Sequence, residues 1–428
     1  MNNIKYNLYK YTNNLRITTK DDLVILGCED SKNWIKISSE SFNILNKVLE
    51  MNLNHSEILE CFELEKDKKY FDELIKKLYE AKILINKNIM TRRNISAVYF
   101  ILTNRCNLSC THCCADALDL NSVDDLDTCS IFKLIDKVAA LNPENIVISG
   151  GEPLVRDDIW EIMKYIKERC SSTIEIMTNG LLINENNIDY FKRYFDSASI
   201  SIDGVDEESC KIIRGSNVFN KVLKKIQLLK NHNFNKISLS AVLPNNYQLI
   251  EEFKKLNQDL GTDAMVRYFS YKGRAGENLN LITQEMNKYL KSRNMEERKI
   301  TEWCSYFPED KKDICIGGCS GGESVLTIGS NGEMYPCNLL MDQKYSLGNM
   351  LEIEDINSYM NNMNTHSNRG YKAFVDLKLC NNNKCKSCSV KDFCWNCPAE
   401  CDNILSKDDI FRERCDEIKE KLVSVVWG

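Results

Sequence analysis

The sequence has no excess of basic residues and no long hydrophobic run. Its 56 Lys and Arg residues against 62 Asp and Glu residues give a formal net charge of -6, so it lacks the basic surface by which proteins usually bind nucleic acid or anionic membranes. No window approaches the roughly 18 apolar residues of a membrane span, and the polar N-terminus has no apolar signal-peptide core. We therefore expect a cytoplasmic protein that binds neither nucleic acid nor membrane.

Histidine is also scarce, with four residues at positions 55, 112, 232 and 366. None stands at metal-ligand spacing from another, so the sequence does not indicate imidazole acid–base catalysis. We expect the histidines to lie away from the chemistry.

The 428-residue chain is long enough for two or three domains. A content of 43% hydrophobic and 28% charged residues is typical of a folded protein.

Cysteine is abundant, in contrast to histidine. A reducing compartment argues against a disulfide framework for its 20 cysteines, so metal ligation is the simplest explanation. Eleven lie between Cys304 and Cys415, and four between Cys106 and Cys114. The other five stand singly in apolar patterns, and we interpret them as buried hydrophobic residues. They are Cys28, Cys61, Cys129, Cys170 and Cys210.

Residues 1–90 have the pattern of a separate winged-helix domain. Two β-like runs, 15–18 and 23–26, precede three helical patterns. The second helix begins with capping-box spacing from Asn54 to Glu57. A capping domain without a binding role is the alternative.

From residue 97, short β-rich runs alternate with helical patterns. This order predicts an α/β fold with a parallel sheet, curved or closed. The functional site of such a sheet lies at the carboxyl ends of the strands. The six candidate strands are 98–102, 146–148, 174–177, 198–202, 237–240 and 265–268.

After about residue 300 the long periodic patterns fade, and the chain is rich in Cys, Gly and Asn until a last helix near 412–426. Such a segment buries little apolar surface. Metal clusters would supply the folding free energy that it lacks.

The strongest local motif is CNLSCTHC, in which Cys106, Cys110 and Cys113 are spaced C-x3-C-x2-C after the first candidate strand. Three thiolates can hold three irons of a 4Fe–4S cubane while the fourth iron stays open to a small molecule. A zinc knuckle with Cys114 or His112 as fourth ligand is the alternative.

Over residues 97–275 this motif and those that follow it resemble the radical SAM superfamily, whose members cleave S-adenosylmethionine (SAM). The resemblance implies a partial (β/α)6 TIM-like barrel in which SAM binds the open iron and yields a 5'-deoxyadenosyl radical that abstracts a substrate hydrogen. The segment SGGEP at 149–153 resembles the contact to the SAM amino group, and SISIDG at 199–204 resembles the strand that binds ribose and carboxylate. The residues implied in SAM binding are Gly150, Gly151, Glu152, Pro153, Thr178, Asn179, Ser199, Ser201, Asp203 and Arg267.

The C-terminal cysteine spacing resembles the SPASM extension of radical SAM enzymes, which binds two auxiliary 4Fe–4S clusters. The pattern C-x12-G-x4-C ends at Cys337, and CKSC at 385–388 is followed by Cys394. By this resemblance the first auxiliary cluster is bound by Cys319, Cys337, either Cys315 or Cys304, and Cys397. The second is bound by Cys385, Cys388, Cys394 and Cys415. The spacing after Cys394 departs from the usual pattern and leaves Cys401 as an alternative to Cys397. Structural zinc ribbons would also fit paired cysteines.

The N-terminal pattern resembles the recognition element of enzymes that modify ribosomally synthesised peptides (RiPPs), to which a leader peptide adds as a strand. The three resemblances imply domains at 1–90 (recognition element), 91–300 (radical SAM barrel) and 301–428 (SPASM domain). They imply a radical SAM oxidoreductase of the sactipeptide or ranthipeptide type, which links a cysteine sulfur of a precursor peptide to a carbon of another residue. The implied cofactors are SAM and three 4Fe–4S clusters, and the implied reductant is a flavodoxin or ferredoxin.

Two other classes of function are compatible with parts of the sequence. Carbon–carbon crosslinking, or sulfatase-type oxidation of Cys or Ser, would use the same scaffold, although sulfatase oxidation would not need a leader-binding domain. A non-catalytic iron–sulfur redox sensor would need the clusters but neither Glu152 nor the strand at 199–203.

Overall fold

The fold is known from a computed structural model. The candidate ligand Cys304 and Tyr268 of the last candidate strand lie outside its described residues. The structure describes residues 7–87, 94–124, 126–243, 247–267, 269–295, 314–363, 368–394, 397–404 and 407–428.

The described residues form fourteen strands. They are β1 (Tyr9–Tyr11), β2 (Leu15–Lys20), β3 (Leu23–Cys28), β4 (Trp34–Ser38), β5 (Leu84–Asn86), β6 (Ala97–Thr103), β7 (Asn145–Gly150), β8 (Thr173–Thr178), β9 (Ser197–Ser201), β10 (Ile237–Val242), β11 (Asp263–Arg267), β12 (Val325–Ile328), β13 (Glu333–Tyr335) and β14 (Gly348–Asn349).

Sixteen α-helices, some of a single turn, complete the described structure. They are α1 (Ser39–Glu50), α2 (His55–Glu60), α3 (Glu65–Glu80), α4 (Thr128–Leu141), α5 (Ile159–Arg169), α6 (Ile188–Tyr194), α7 (Glu207–Arg214), α8 (Val218–Asn231), α9 (Tyr247–Leu260), α10 (Arg274–Glu277), α11 (Leu279–Ser292), α12 (Ile356–Asn362), α13 (Arg369–Asp376), α14 (Lys391–Cys394), α15 (Pro398–Ile404) and α16 (Asp408–Trp427). No helix among the described residues combines the length and the hydropathy that a membrane crossing requires.

The chain divides into two compact units. The first, here called the terminal unit, contains Met1–Arg92, Tyr306–Ser320 and Val375–Gly428. The second, the barrel unit, contains Arg93–Ser305 and Gly321–Phe374. The N-terminal residues therefore share one unit with two C-terminal segments, and the domain boundaries near 90 and 300 stay predictions.

The barrel unit is built on a nine-stranded sheet with the strand order β11-β10-β9-β8-β7-β6-β12-β13-β14. Strands β6 to β11 are parallel neighbours, which confirms the predicted parallel α/β sheet. β12 also runs parallel to β6, whereas β13 and β14 add antiparallel pairs. The carboxyl ends of the parallel strands meet at one edge, where their loops can form a common site.

Side-chain alternation gives this sheet two chemically different faces. In β8, Ile174 and Ile176 are 0% exposed and belong to the core that the helices cover. Glu175 and Met177 point to the other side of the sheet and are half-buried. We call this second side the inner face.

In the terminal unit, antiparallel strands in the order β2-β3-β4 share a core with α1 to α3. The predicted capping box of α2 is confirmed, because Asn54 and Glu57 make both of its hydrogen bonds. Sequence analysis missed β4, since this short strand leads directly into α1 without a turn signal. The winged-helix topology stays a prediction.

The opposite side of this small sheet contacts C-terminal segments of the same unit. A Cβ atom added to Gly27 would lie 1.9 Å from Cδ1 of Ile316. Trp34 Nε1 donates to the carbonyl oxygen of Ile314 at 2.8 Å, and the Trp34 ring meets Phe393 edge-on. The small sheet is therefore covered on both faces, and β2 and β4 are its edge strands.

Two of the five cysteines that we expected to be buried are exposed. Cys28 and Cys210 are buried and Cys170 is half-buried, whereas Cys61 and Cys129 are exposed. Cys61 caps the C-terminus of α2 and Cys129 lies in the first turn of α4. In both helices the neighbouring apolar side chains face the core, whereas the thiol does not. The predicted burial was therefore wrong for Cys61 and Cys129.

Candidate active site

The C-x3-C-x2-C loop follows β6 at the carboxyl edge of the sheet, as predicted. Cys110 is buried, and Cys106 and Cys113 are half-buried. The backbone of the loop is fixed at both ends, because Cys106 N donates to Leu118 O and Thr111 N donates to Ile213 O, each at 2.9 Å. Burial raises the pKa of Cys106 to about 11 and raises the pKa of Cys110 as well. Such thiols stay neutral near pH 7 unless a bound cation displaces the proton.

The glycine pair after β7 lies directly against this loop. Gly151 N donates to Thr103 O and Glu152 N donates to Arg105 O, each at 2.8 Å. A Cβ atom on Gly151 would lie 2.3 Å from Arg105 O, which no side chain can accommodate. Glycine is therefore required for the two loops to approach. Pro153 then begins a 3-10 turn, Pro153–Val155.

Glu152 is fully buried and already bonded to the protein. Its carboxylate accepts from Thr178 Oγ1 and from Asn179 N, both at 2.7 Å, and from Leu154 N at 3.2 Å. Burial raises the pKa of Glu152 in spite of these donors. Oε2 accepts only one of the three bonds, so a further donor can still bind there.

Asn179 connects the end of β8 with the cysteine loop. Its Nδ2 donates to Asn107 Oδ1 at 2.6 Å and lies 3.9 Å from Sγ of Cys106. The segments at 149–153 and 178–180, which the sequence predicts to be neighbours of the cysteine motif, are thus joined to it by hydrogen bonds.

Asp203 is the centre of a buried charged network. It adopts a left-handed backbone conformation with φ 50° and is 2% exposed. Oδ2 lies 2.5 Å from Arg214 Nε and 2.9 Å from His112 Nε2, while Oδ1 accepts from Val242 N at 2.7 Å. Burial alone would raise the pKa of Asp203, but Arg214 and His112 outweigh it, so this pKa is lowered. Asp203 is an ionised group that organises the loop around it.

His112 corrects one expectation from the sequence. Its side chain is 13% exposed and faces Asp203, so it does not lie away from the site. The isolated position of His112 in the sequence gave no sign of this contact, because its partner lies far away in the chain.

Two arginines flank Cys110. Arg214 Nη1 lies 3.9 Å from Cys110 Sγ. Arg274 Nε donates to Cys110 O at 3.2 Å, and Gly273 packs so closely that a Cβ would lie 2.7 Å from Cys113 O. Cations beside a thiolate favour its charged form. Sequence analysis missed Arg214, which lies in a helix without a motif.

Several buried polar atoms of this region have no hydrogen-bond partner among the described residues. They include His112 Nδ1, Ser199 Oγ and Arg267 Nε. Buried polar groups in folded proteins are almost always paired, so these atoms fit a polar ligand at the carboxyl edge. Ser201, the remaining residue implied in SAM binding, is half-buried at the end of β9.

In the terminal unit the structure brings together four of the predicted cluster ligands. Burial, followed by Cys394, Cys388 and Cys415, raises the pKa of Cys385 to about 11. Burial, followed by Cys394, also raises the pKa of Cys415. Arg414 Nη1 donates to Cys394 Sγ at 3.1 Å. These thiols are neighbours, as their grouping in the sequence predicts.

The other predicted ligands are distributed over both units. Cys319 lines a cavity of the terminal unit together with Cys380 and Cys401. Cys337 belongs to the barrel unit and lies near Tyr99, whose pKa is raised mainly by burial and to a smaller extent by Glu175 and Cys337. Within the described part of the chain, no three His, Cys, Asp or Glu side chains are gathered around a single-ion site.

Comparison with protein families identifies a domain within the barrel unit. The model of the Radical SAM superfamily matches residues 100–256, from β6 into α9. Residues 100–256 form a radical SAM domain. A radical SAM domain implies a 4Fe–4S cluster and SAM, and the cysteine loop and the unpartnered polar atoms at the carboxyl edge fit both.

Relatives match more of the chain than this domain. The antilisterial bacteriocin subtilosin biosynthesis protein AlbA of Bacillus subtilis is 28% identical over 315 residues, which are 70% of this chain and 66%, just under two thirds, of AlbA. The mycofactocin maturase MftC of Mycolicibacterium smegmatis is 24% identical over 260 residues, 58% of this chain and 66% of MftC.

A solved structure shares the fold over most of the chain. Streptococcus suis SuiB bound to its precursor peptide SuiA superimposes with a TM-score of 0.51, covering 92% of this chain and 97% of SuiB at 16% identity. This similarity supports the radical SAM α/β fold.

Proposed function

We propose that the chain is a radical SAM maturase that installs thioether crosslinks between a cysteine sulfur and a carbon of another residue in a ribosomally made peptide. The observation that carries the proposal is the combination of a radical SAM domain with a separate group of four neighbouring cysteines, at 385–415, in the terminal unit. AlbA and MftC, relatives over more than half of this chain, are named for the biosynthesis of a bacteriocin and the maturation of mycofactocin.

In this proposal Cys106, Cys110 and Cys113 hold the 4Fe–4S cluster that binds SAM. Glu152 Oε2 would accept from the SAM ammonium group, and Ser199 and Arg267 would donate to SAM from the buried atoms that have no described partner. The left-handed turn at Asp203 keeps Arg214 and His112 beside the cysteine loop. When bound, the cluster and SAM supply the 5'-deoxyadenosyl radical.

Two auxiliary 4Fe–4S clusters complete the proposed cofactor set. Cys385, Cys388, Cys394 and Cys415 are the ligands of one of them, in agreement with their proximity. Cys319 and Cys337 belong to the other, with Cys315 or Cys304. For its last ligand the shared cavity of Cys319 and Cys401 favours Cys401 over Cys397.

Thioether formation explains why an additional redox centre would be useful. The peptide loses two hydrogens: one leaves the acceptor carbon as a hydrogen atom, and the other leaves the cysteine thiol as a proton. The remaining electron must pass to a one-electron acceptor. Iron–sulfur clusters span the potentials needed for such a role.

Mass spectrometry of an anaerobic reaction with SAM, dithionite and a cysteine-rich precursor peptide tests the proposal. We expect the peptide to lose the mass of two hydrogen atoms per crosslink, its thiols to resist alkylation, and 5'-deoxyadenosine to form. Deoxyadenosine together with the same mass loss but fully alkylatable thiols would instead indicate carbon–carbon crosslinking, the second candidate.

The N-terminal residues are proposed to bind the leader of that precursor as an added strand. Because both sides of the β2-β3-β4 sheet are covered, the leader would pair with an edge strand, β2 or β4. We expect the intact enzyme to bind the full precursor but not a core peptide lacking its leader. Hydrogen exchange should then show leader-dependent protection of β2 or β4.

The intact chain is the right material for this experiment. Residues 1–90 share a compact unit with the C-terminal segments, so deleting them would expose apolar surface such as Ile316. A scrambled leader of the same composition is the control. Equal affinity for the precursor and the leaderless core would contradict the proposed recognition element.

A further inference from the structure

The inner face of the barrel sheet has one polar level below the cysteine loop. The strand register places Thr327, Tyr99, Val147, Glu175 and Ser197 next to one another on β12, β6, β7, β8 and β9. Glu175 lies three residues before the end of β8, so this level is about 10 Å below the strand ends. It therefore faces the space beneath the proposed SAM position.

Glu175 is the acid of this level. It is half-buried and has no hydrogen-bond partner among the described residues. The charged group that faces it is Arg267 from β11, and the nearest titratable group on β6 is Tyr99. Its direct neighbours Val147 and Ser197 carry no charge. Burial raises the pKa of Glu175, and Arg267 offsets this only in part.

Three other acids near the domain's site already have hydrogen-bond partners or are exposed. Glu152 accepts three hydrogen bonds, and Asp203 is bonded to Arg214, His112 and Val242. Asp263 shares the inner-face alternation with Arg267 but lies at the exposed start of β11. Of these four acids, Glu175 is the one that is partly shielded from water and has no hydrogen-bond partner among the described residues.

A second group of this level, Thr327 on β12, also has no partner. Its side chain is 0% exposed, and its Oγ1 has no hydrogen-bond partner among the described residues. Since buried polar atoms are normally satisfied, this level can contact a polar ligand such as a peptide segment.

We propose that Glu175 is the catalytic base that accepts the proton of the peptide's cysteine thiol. This role rests on the proposed function. The acceptor carbon gives a hydrogen atom to the 5'-deoxyadenosyl radical, the thiol S–H bond breaks with its proton passing to Glu175, and the carbon–sulfur bond forms. The surplus electron passes to a one-electron acceptor of the iron–sulfur class. A carboxylate with a raised pKa suits this transfer, because a base works best when its pKa approaches the working pH.

The test compares Glu175→Gln with wild type and with Asp263→Asn, which removes an exposed carboxylate from the same face. We expect Glu175→Gln to lower the rate of thioether formation by roughly 100-fold or more. Peptide affinity and 5'-deoxyadenosine formation should change by no more than a few-fold. In wild type the rate should fall as the pH falls through the raised pKa of Glu175, and this acidic limb should vanish in the variant. Asp263→Asn should behave as wild type in every assay.

The following results would contradict the proposed role of Glu175 as catalytic base. Wild-type rates in Glu175→Gln, or an unchanged acidic limb, would exclude a proton transfer to this residue. A loss of peptide affinity equal to the loss of rate would make Glu175 a binding residue. If the product of the wild-type enzyme contains no thioether, the proposed function is refuted, and the role of Glu175 is refuted with it. This result would be known before any variant is compared. Failure confined to the variants would refute the role of Glu175 alone.

Discussion

Replacing Cys106, Cys110 and Cys113 together with alanine should abolish SAM cleavage while the rest of the protein stays folded. The variant lacks all three cysteine ligands, so it cannot hold a 4Fe–4S cluster whose fourth iron is open to SAM. The loop should keep its course, because its backbone bonds to Leu118 and Ile213 do not involve the thiols. Anaerobic iron analysis should fall from about twelve irons per chain, from three cubanes of four, to about eight.

Matched cysteine controls separate ligation from the loss of thiols in general. Cys61→Ala and Cys129→Ala remove exposed thiols outside the site and should leave both iron content and SAM cleavage unchanged. Retained cleavage in the triple variant would refute the ligand assignment. An iron content of about four in the wild type would refute two auxiliary clusters but leave the SAM-binding cluster intact.

The parts of the site that lie within short motifs could be predicted from the sequence. The cysteine loop, the glycine pair and the end of β8 each follow an apolar run that ends at the carboxyl edge of a parallel sheet. Strand alternation and the parallel topology bring them together without any long-range information. This is why the contacts of Gly151 and Asn179 with the cysteine loop agree with expectation.

Contacts between distant segments could not be predicted in this way. The pairing of His112 with Asp203, and of Arg214 with both Asp203 and Cys110, depends on how β9 and α7 are placed against the loop. Arg214 has no periodic or motif signal, and the position of His112 within the cysteine motif does not indicate Asp203 as its partner. The same holds for β12, a four-residue strand that extends the sheet beside β6 although more than 200 residues separate them in the chain.

The terminal unit contains contacts that a consecutive division of the sequence does not indicate. The three successive domains with boundaries near 90 and 300 stay a prediction. The terminal unit combines residues from both ends of the chain, and β4 contacts segments near 314 and 393. Apolar side chains such as Ile316 have no periodic neighbours in the sequence, so their burial could not be foreseen.

Asp203→Asn should lower the unfolding free energy of the barrel unit by about 3–5 kcal/mol, because it leaves a buried arginine without its counter-charge. Asparagine fits the left-handed backbone at this position and can still accept from Val242 N, so the change removes the charge but little else. Arg214 is 9% exposed in its side chain and would lose its close ionic partner. The loosened arginine also lies beside Cys110, so SAM cleavage should fall as well.

Urea denaturation, with hydrogen exchange to assign the transition to the barrel unit, measures this effect. Glu251→Gln is the control, because it removes the acid of an exposed ion pair with Lys254 and should cost less than about 1 kcal/mol. Combining Asp203→Asn with Arg214→Met removes both buried charges and should recover much of the lost stability. The double variant could instead lose as much unfolding free energy as the two single variants lose together. That result would show that the pair stabilises the protein through its hydrogen bonds and packing, and not through charge compensation.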